Sequence, residues 1–178
     1  MAVSKRIAVI QSVFFAGILL SGILISNDET VKPLPANCKV DSIVVIKHER
    51  TLCVFQNKML LKTYRIALGR QPIGHKQYEG DKRTPEGLYH INAKNANSGY
   101  HKNLGISYPS NRDRLAAKRL GKSPGGDVKI HGLPNGQGYI GKAHLLKDWT
   151  YGCIAVTDEE VDELYKHVDV GTPINILP

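Results

Sequence analysis

Between residues 41 and 177 the chain is cut into short runs of β-branched and aromatic residues, each ended within a few positions by turn-forming or charged side chains. Residues 41–47, 51–55 and 60–68 are such runs, separated by His48-Glu49-Arg50 and Gln56-Asn57-Lys58, and they read as a meander of strands. Residues 87–92, 104–108, 127–131, 153–156 and 172–177 repeat the pattern. Helical signals are confined to residues 112–120 and to residues 157–168, which Thr157 opens with Glu160 three places on as a capping box. Turn signals this frequent leave no room for repeated βαβ units. The expected fold is mainly β, a β-sandwich or barrel-like body carrying a few short helices.

The N-terminus sets the compartment. Residues 7–25 are nineteen positions without a charge, preceded by Lys5 and Arg6 and followed by Asp28 and Glu29. The run exceeds the core of about 7 to 15 residues usual in a signal peptide, is long enough to span a bilayer and lacks an Ala-x-Ala site. Residues 1–27 therefore read as a hydrophobic helix serving as signal-anchor or signal peptide, the uncleaved anchor being favoured. A buried helix of a cytosolic protein would have to hide an all-apolar surface at the extreme terminus of a small chain. A basic flank held in the cytoplasm puts the remainder outside, in the periplasm or cell envelope at the inner membrane. Residues 28–38, with Pro33 and Pro35, form a short stiff linker. Residues 39–178 make one domain. The net charge of +8, of which Lys5 and Arg6 supply two, favours a partner bearing carboxylates or phosphates.

In such a compartment the three cysteines sort by context. Cys38 and Cys53 either form a disulfide or are two small buried apolar residues. Cys153 is left unpaired in a glycine turn, and a free thiol in an oxidising compartment calls for a chemical reason. An unassisted thiol is only a few per cent thiolate at neutral pH, so it needs a base. His131 is the candidate, with the Gly132 carbonyl positioned to fix its tautomer, and His144 is the competitor. Gly152 permits the tight turn and offers a backbone amide to the oxyanion of a tetrahedral intermediate.

Other patterns in this region fail on context. Gly136, Gly138 and Gly141 fit Gly-x-Gly-x-x-Gly, yet Ala143 stands where a phosphate-binding loop needs Ser or Thr, and no βαβ unit surrounds it. His131, His144 and Cys153 lack a fourth ligand at a zinc-site interval. No cofactor, metal or nucleic-acid partner is expected. Asp158, Glu159, Glu160, Asp162 and Glu163 read as the solvated face of a helix whose N-terminus favours acids.

The order Ile130-His131-Gly132, a loop, then Thr150-x-Gly152-Cys153-Ile154 resembles the L,D-transpeptidase catalytic domain, the YkuD family. The turn Gly80-Asp81 to Thr84-Pro85-x-Gly87 is similar to the Gly-Asp-x-x-Thr-Pro-x-Gly turn of these enzymes, and Ala67-Leu68-Gly69 sits where their strand meets the cleft. The resemblance covers roughly residues 40 to 178. It implies attack by Cys153 on the carbonyl of the third residue of a peptidoglycan tetrapeptide stem, loss of the terminal D-alanine and a thioester resolved by the amine of an acceptor stem. His131 would move the protons, while Thr150, Tyr151, His144 and Tyr89 would contact substrate. Tyr151 replaces the histidine usual beside the Gly-Cys pair, and Ala155 replaces an Arg or Asn. These departures leave open a hydrolase or amidase that hands the same thioester to water, and a non-catalytic wall-binding module.

Overall fold

The computed structural model describes residues 32–178; the proposed hydrophobic helix of residues 1–27 and residues 28–31 of the proposed linker lie outside them, while Leu34 of that linker is buried in the core. No helix among the described residues is long and apolar enough to cross a membrane.

Eight strands form one sheet: β1 (Ser42–Ile46), β2 (Thr51–Gln56), β3 (Met59–Arg65), β4 (Gly87–Ser98), β5 (His101–Ile106), β6 (Lys129–His131), β7 (Ile154–Ala155) and β8 (Pro173–Leu177). Their order across the sheet is β3-β2-β1-β8-β4-β5-β6-β7. The chain just after β3 returns to the far edge, where Ala67 and Ala155 exchange backbone hydrogen bonds of 2.9 and 2.8 Å. The sheet is thus curled into a half-barrel, so the barrel-like alternative forms and two separately packed sheets do not. β4 makes the curl possible. Its first residues pair with β8 and its later ones with β5, with irregularities between Ile91 and Ala93 and between Asn95 and Ser98.

Alternation explains the core. Ile43 and Val45 of β1, Leu52 and Val54 of β2, and Ile174 and Ile176 of β8 point inward at period two, joined by Ile91, Leu104, Ile106, Ile130 and Ile154. α2 (Asp158–His167) closes this core with Val161 and Leu164 on one face. Its expected capping box is present, Thr157 Oγ1 accepting from the Glu160 amide and Glu160 from the Thr157 amide. α1 (Asn111–Arg119) has an analogous box from Ser110 and Asp113.

Three elements differ from expectation. β4 and β5 run on as a hairpin through Asn95, Asn97 and Ser98, residues poorly disposed to strands, because cross-strand pairing outweighs local preference. The strand expected from 127 starts only at Lys129, since Asp127 has a φ of 57° that extended backbone does not allow. Residues Gly138–Leu146 form a 3-10 segment broken at Gly141, which the sequence did not announce because it lacks an apolar period. Cys38 and Cys53 are both free thiols: Cys38 Sγ lies 3.5 Å from His167 Nδ1, and Cys53 Sγ 3.5 Å from Thr63 Oγ1.

Candidate active site

Parallel pairing of β6 and β7 builds the centre. His131 is registered with Ala155, and the same register one alternate position back sets Cys153 beside Lys129. Cys153 and His131 therefore share a face and open onto one cleft of about 490 Å³. The β4–β5 hairpin supplies Asn95, Asn97 and Tyr100 to its wall, and Arg70, Trp149 and Tyr151 complete the rim. This volume lies within the range usual for small-molecule sites.

His131 is held as a base would be. Its Nδ1 donates to the Gly132 carbonyl at 2.7 Å, which leaves Nε2 without a proton to face the cleft. The ring, 6% exposed, packs against Tyr100 at 4.7 Å and edge-on to Trp149 at 5.7 Å. Burial pushes its pKa below the ordinary value; the Gly132 carbonyl opposes this, and His144 and Lys129 add to it. Burial likewise raises the Cys153 thiol, against the pull of the Lys129 amide and ammonium. Burial thus disfavours the charged form of each group. No hydrogen bond among the described residues joins them; the thiol donates instead to the Asp127 carbonyl at 3.5 Å. Nucleophile and base commonly close up only when substrate is bound.

The turn before Cys153 is fixed from below. Gly152 has a φ of 131°, and a Cβ there would sit 2.6 Å from the Arg83 carbonyl oxygen. Its amide donates to Thr150 Oγ1 at 3.1 Å, while the Thr150 hydroxyl donates to the Cys153 carbonyl at 2.7 Å. Gly152 is thus the expected turn residue, but its amide is committed and is not turned to an oxyanion. Thr150, 3% exposed, braces the turn with the hydroxyl that was expected to meet substrate.

The remaining expected residues divide. Tyr151 is on the rim, 66% exposed, with the Arg70 guanidinium 5.1 Å and the Lys82 ammonium 6.0 Å from its ring centre. His144 stands behind Trp149, whose indole N–H donates to His144 Nδ1 at 3.2 Å, so it supports the wall and does not compete with His131 for the thiol. Tyr89 is not at this cleft. It faces the core side of β4, and its hydroxyl donates to the buried Asp113 at 3.0 Å.

Several site residues escaped the sequence reading. Lys76, 4% exposed, places its ammonium 2.8 Å from Asp81 and donates to the Tyr78 carbonyl, close under the Gly152 turn. Lys47 similarly reaches Glu86 and the carbonyls of Gly74 and Thr84. Lysine is so rarely buried that only the adjoining Gly80-Asp81 turn hinted at such braces. Trp149 and Tyr100 were not singled out either, although Trp149 is the chain's one tryptophan and stands next to the Thr150-Cys153 signature. Among the described residues no cluster of His, Cys, Asp and Glu is placed to hold a metal.

The chain is 28% identical over 134 residues to YafK of Escherichia coli (strain K12), whose name assigns it provisionally to the L,D-transpeptidases, covering 71% of this chain and 46% of that protein. It is 27% identical over 145 residues to the similarly named YqjB of Bacillus subtilis (strain 168), covering 81% of this chain and 73% of that one. The chain thus spans less than half the length of YafK. Among solved structures, the helical cell shape determining protein Pgp2 from Campylobacter jejuni superposes with a TM-score of 0.58 at 23% identity, over 84% of this chain and 51% of that one. Bd1075 of Bdellovibrio bacteriovorus gives 0.53 at 23% identity, over 82% and 54%. Both share the fold. With Cys153 and His131 on one cleft and residues 40–176 matching the sequence profile of the L,D-transpeptidase catalytic domain (YkuD), the chain belongs to that family.

Proposed function

We propose that this protein is a cysteine L,D-transpeptidase that remodels or cross-links peptidoglycan outside the cytoplasm, tethered by its apolar N-terminal run. The observation that carries this is the His131 imidazole, pinned through Nδ1 to Gly132, sharing a cleft with the Cys153 thiol.

Because burial disfavours the charged form of both groups, the proton leaves the thiol as the sulfur attacks. Nε2 of His131 takes it while the Cys153 sulfur bonds to the carbonyl carbon of the third stem residue. The oxyanion is met by the Cys153 amide, the Gly152 amide being occupied by Thr150. Collapse breaks the carbon–nitrogen bond, and the imidazolium returns its proton to the departing D-alanine amine. The amine of an acceptor stem then attacks the thioester and gives a proton to His131, and as the carbon–sulfur bond breaks His131 passes that proton to the departing Cys153 sulfur, restoring thiol and neutral imidazole. Arg70 and Lys129 on the cleft wall suit the carboxylates of the stem.

Incubation of the protein with a disaccharide-tetrapeptide, followed by mass spectrometry, tests the reading. A cross-linked dimer with loss of one D-alanine supports it. Shortened stems alone would mean that water resolves the thioester, and no product from wild type would remove the enzymatic reading.

A further inference from the structure

Asp158 was expected on the solvated face of its helix, yet its side chain is only 20% exposed and is turned toward the active-site strand. The His131 Nδ1–H donates to the oxygen of Gly132 at 2.7 Å. The Leu133 N–H donates to Asp158 Oδ1 at 2.8 Å. That oxygen and that N–H belong to the same planar amide. The imidazole and the carboxylate therefore grip opposite ends of one peptide group.

Two glycines make room for the carboxylate. A Cβ on Gly132 would collide with Asp158 Oδ1, and one on Gly138 would lie 2.5 Å from Oδ2. The start of α2 does not require Asp158, because Thr157 and Glu160 already complete the capping box. Linked hydrogen bonds polarise one another, so a carboxylate on the N–H makes the carbonyl of the same amide a stronger acceptor.

Resting on the reading of His131 as the base, we propose that Asp158 is a positioning residue: it acts through the Gly132–Leu133 peptide to orient His131 and to stabilise its protonated form, as a directly bonded carboxylate does in other triads.

Other charges bear on this centre. His101 of β5 places Nδ1 4.0 Å from Asp158 Oδ2, while its Nε2 lies 2.8 Å from Asp162, which Lys102 also meets at 2.8 Å. On the imidazole side, Lys129 of β6 and His144 of the 3-10 segment both disfavour the charged ring.

Asp158→Asn keeps an acceptor for the Leu133 amide and removes the charge; Asp158→Ala removes both. The test is nitrogen-15 correlation NMR of the imidazoles in the full-length protein in detergent micelles, across pH, with acyl-enzyme formation on a tetrapeptide stem measured in parallel. In Asp158→Asn the His131 titration falls by about one pH unit, and kcat for acylation falls with KM unchanged. In Asp158→Ala the Nδ1–H tautomer also ceases to dominate. A wild-type His131 titration and tautomer in both folded variants would overturn the relay. If the NMR shift appears but wild type shows no acyl transfer, the relay stands and the transpeptidase reading falls.

Discussion

Lys76 and Asp81 form an ion pair at 2.8 Å with side chains only 5% and 4% exposed, beside the glycine turn that presents Cys153. Asp81 also accepts from the amides of Gln77, Tyr78 and Arg83, so one carboxylate gathers the whole loop beneath the nucleophile. Lys76→Met strands that carboxylate and is expected to cost about 3–5 kcal/mol, the scale for breaking a buried pair from one side. Urea unfolding checks this, and a loss below about 1 kcal/mol, typical of an exposed pair, would contradict it.

The same carboxylate sets an acid limit. Burial alone would raise Asp81, but Lys76 and the three amides outweigh it and hold its pKa below the ordinary value. A carboxyl with a depressed folded pKa contributes stability above its unfolded value of about 3.9 and loses it as pH falls through the folded one. Wild type is therefore expected to exceed Asp81→Asn in stability at pH 7, with the gap closing only below about pH 4. Urea midpoints of the two proteins across pH measure it, and a gap independent of pH would exclude the charge as its source.

Activity carries a different pH signature. His131 is lowered and Cys153 raised by burial, so the competent neutral pair persists on both sides of neutrality. The acid limb of acylation is expected below about pH 6.5, and iodoacetamide labelling of Cys153 in the free protein should inflect above about pH 8.5. Labelling that saturates by pH 6 would mean a preformed thiolate–imidazolium pair. Cys153→Ala is expected to abolish the acyl-enzyme, and His131→Ala to slow its formation by about 10²–10⁴-fold, the usual worth of a general base.

Legibility in the sequence followed the physics of each residue. The Ile, Val and Leu alternation of β1, β2 and β8 could be read because burial on one face imposes period two. Being unpaired does not single out Cys153, since Cys38 and Cys53 are free thiols as well; what could be read was the order Ile130-His131-Gly132 followed by Thr150-x-Gly152-Cys153. The committed Gly152 amide could not, since it depends on where the Thr150 hydroxyl points. Tyr89 was misplaced because a tyrosine near a strand end gives no sign of which face it occupies, and Asp113 draws it inward. Asp158 was read as solvated for the same reason: acids at a helix N-terminus satisfy the dipole wherever they point.

Gly152 should tolerate no side chain. Its positive φ disfavours any L-residue, and the Arg83 carbonyl fills the space a Cβ needs. Gly152→Ala is expected to destabilise the domain by about 1–3 kcal/mol through backbone strain. It should also displace Cys153, lowering acylation by far more than the stability change alone. Thermal melts read beside acyl-enzyme yield separate the two effects, and full acylation in a folded Gly152→Ala would show that the turn is not held by this contact.

Arg70 ties Tyr151 to the cleft. Its Nε donates to the Trp149 carbonyl at 3.0 Å while its guanidinium lies 5.1 Å from the Tyr151 ring centre, so one side chain holds both flanks of the Thr150 brace. If Arg70 meets a stem carboxylate, Arg70→Ala removes a charge-assisted hydrogen bond worth about 1.5–3 kcal/mol, raising KM by roughly ten- to a hundredfold. Tyr151→Ala leaves that charge in place but frees its side chain, and a rise of only a few fold is expected from the loss of an exposed cation–π contact worth about 0.5–1 kcal/mol. Steady-state kinetics on stems with and without a free carboxylate distinguish the roles. Equal KM for the two stems in wild type would remove Arg70 from carboxylate recognition and leave it as a brace for the turn.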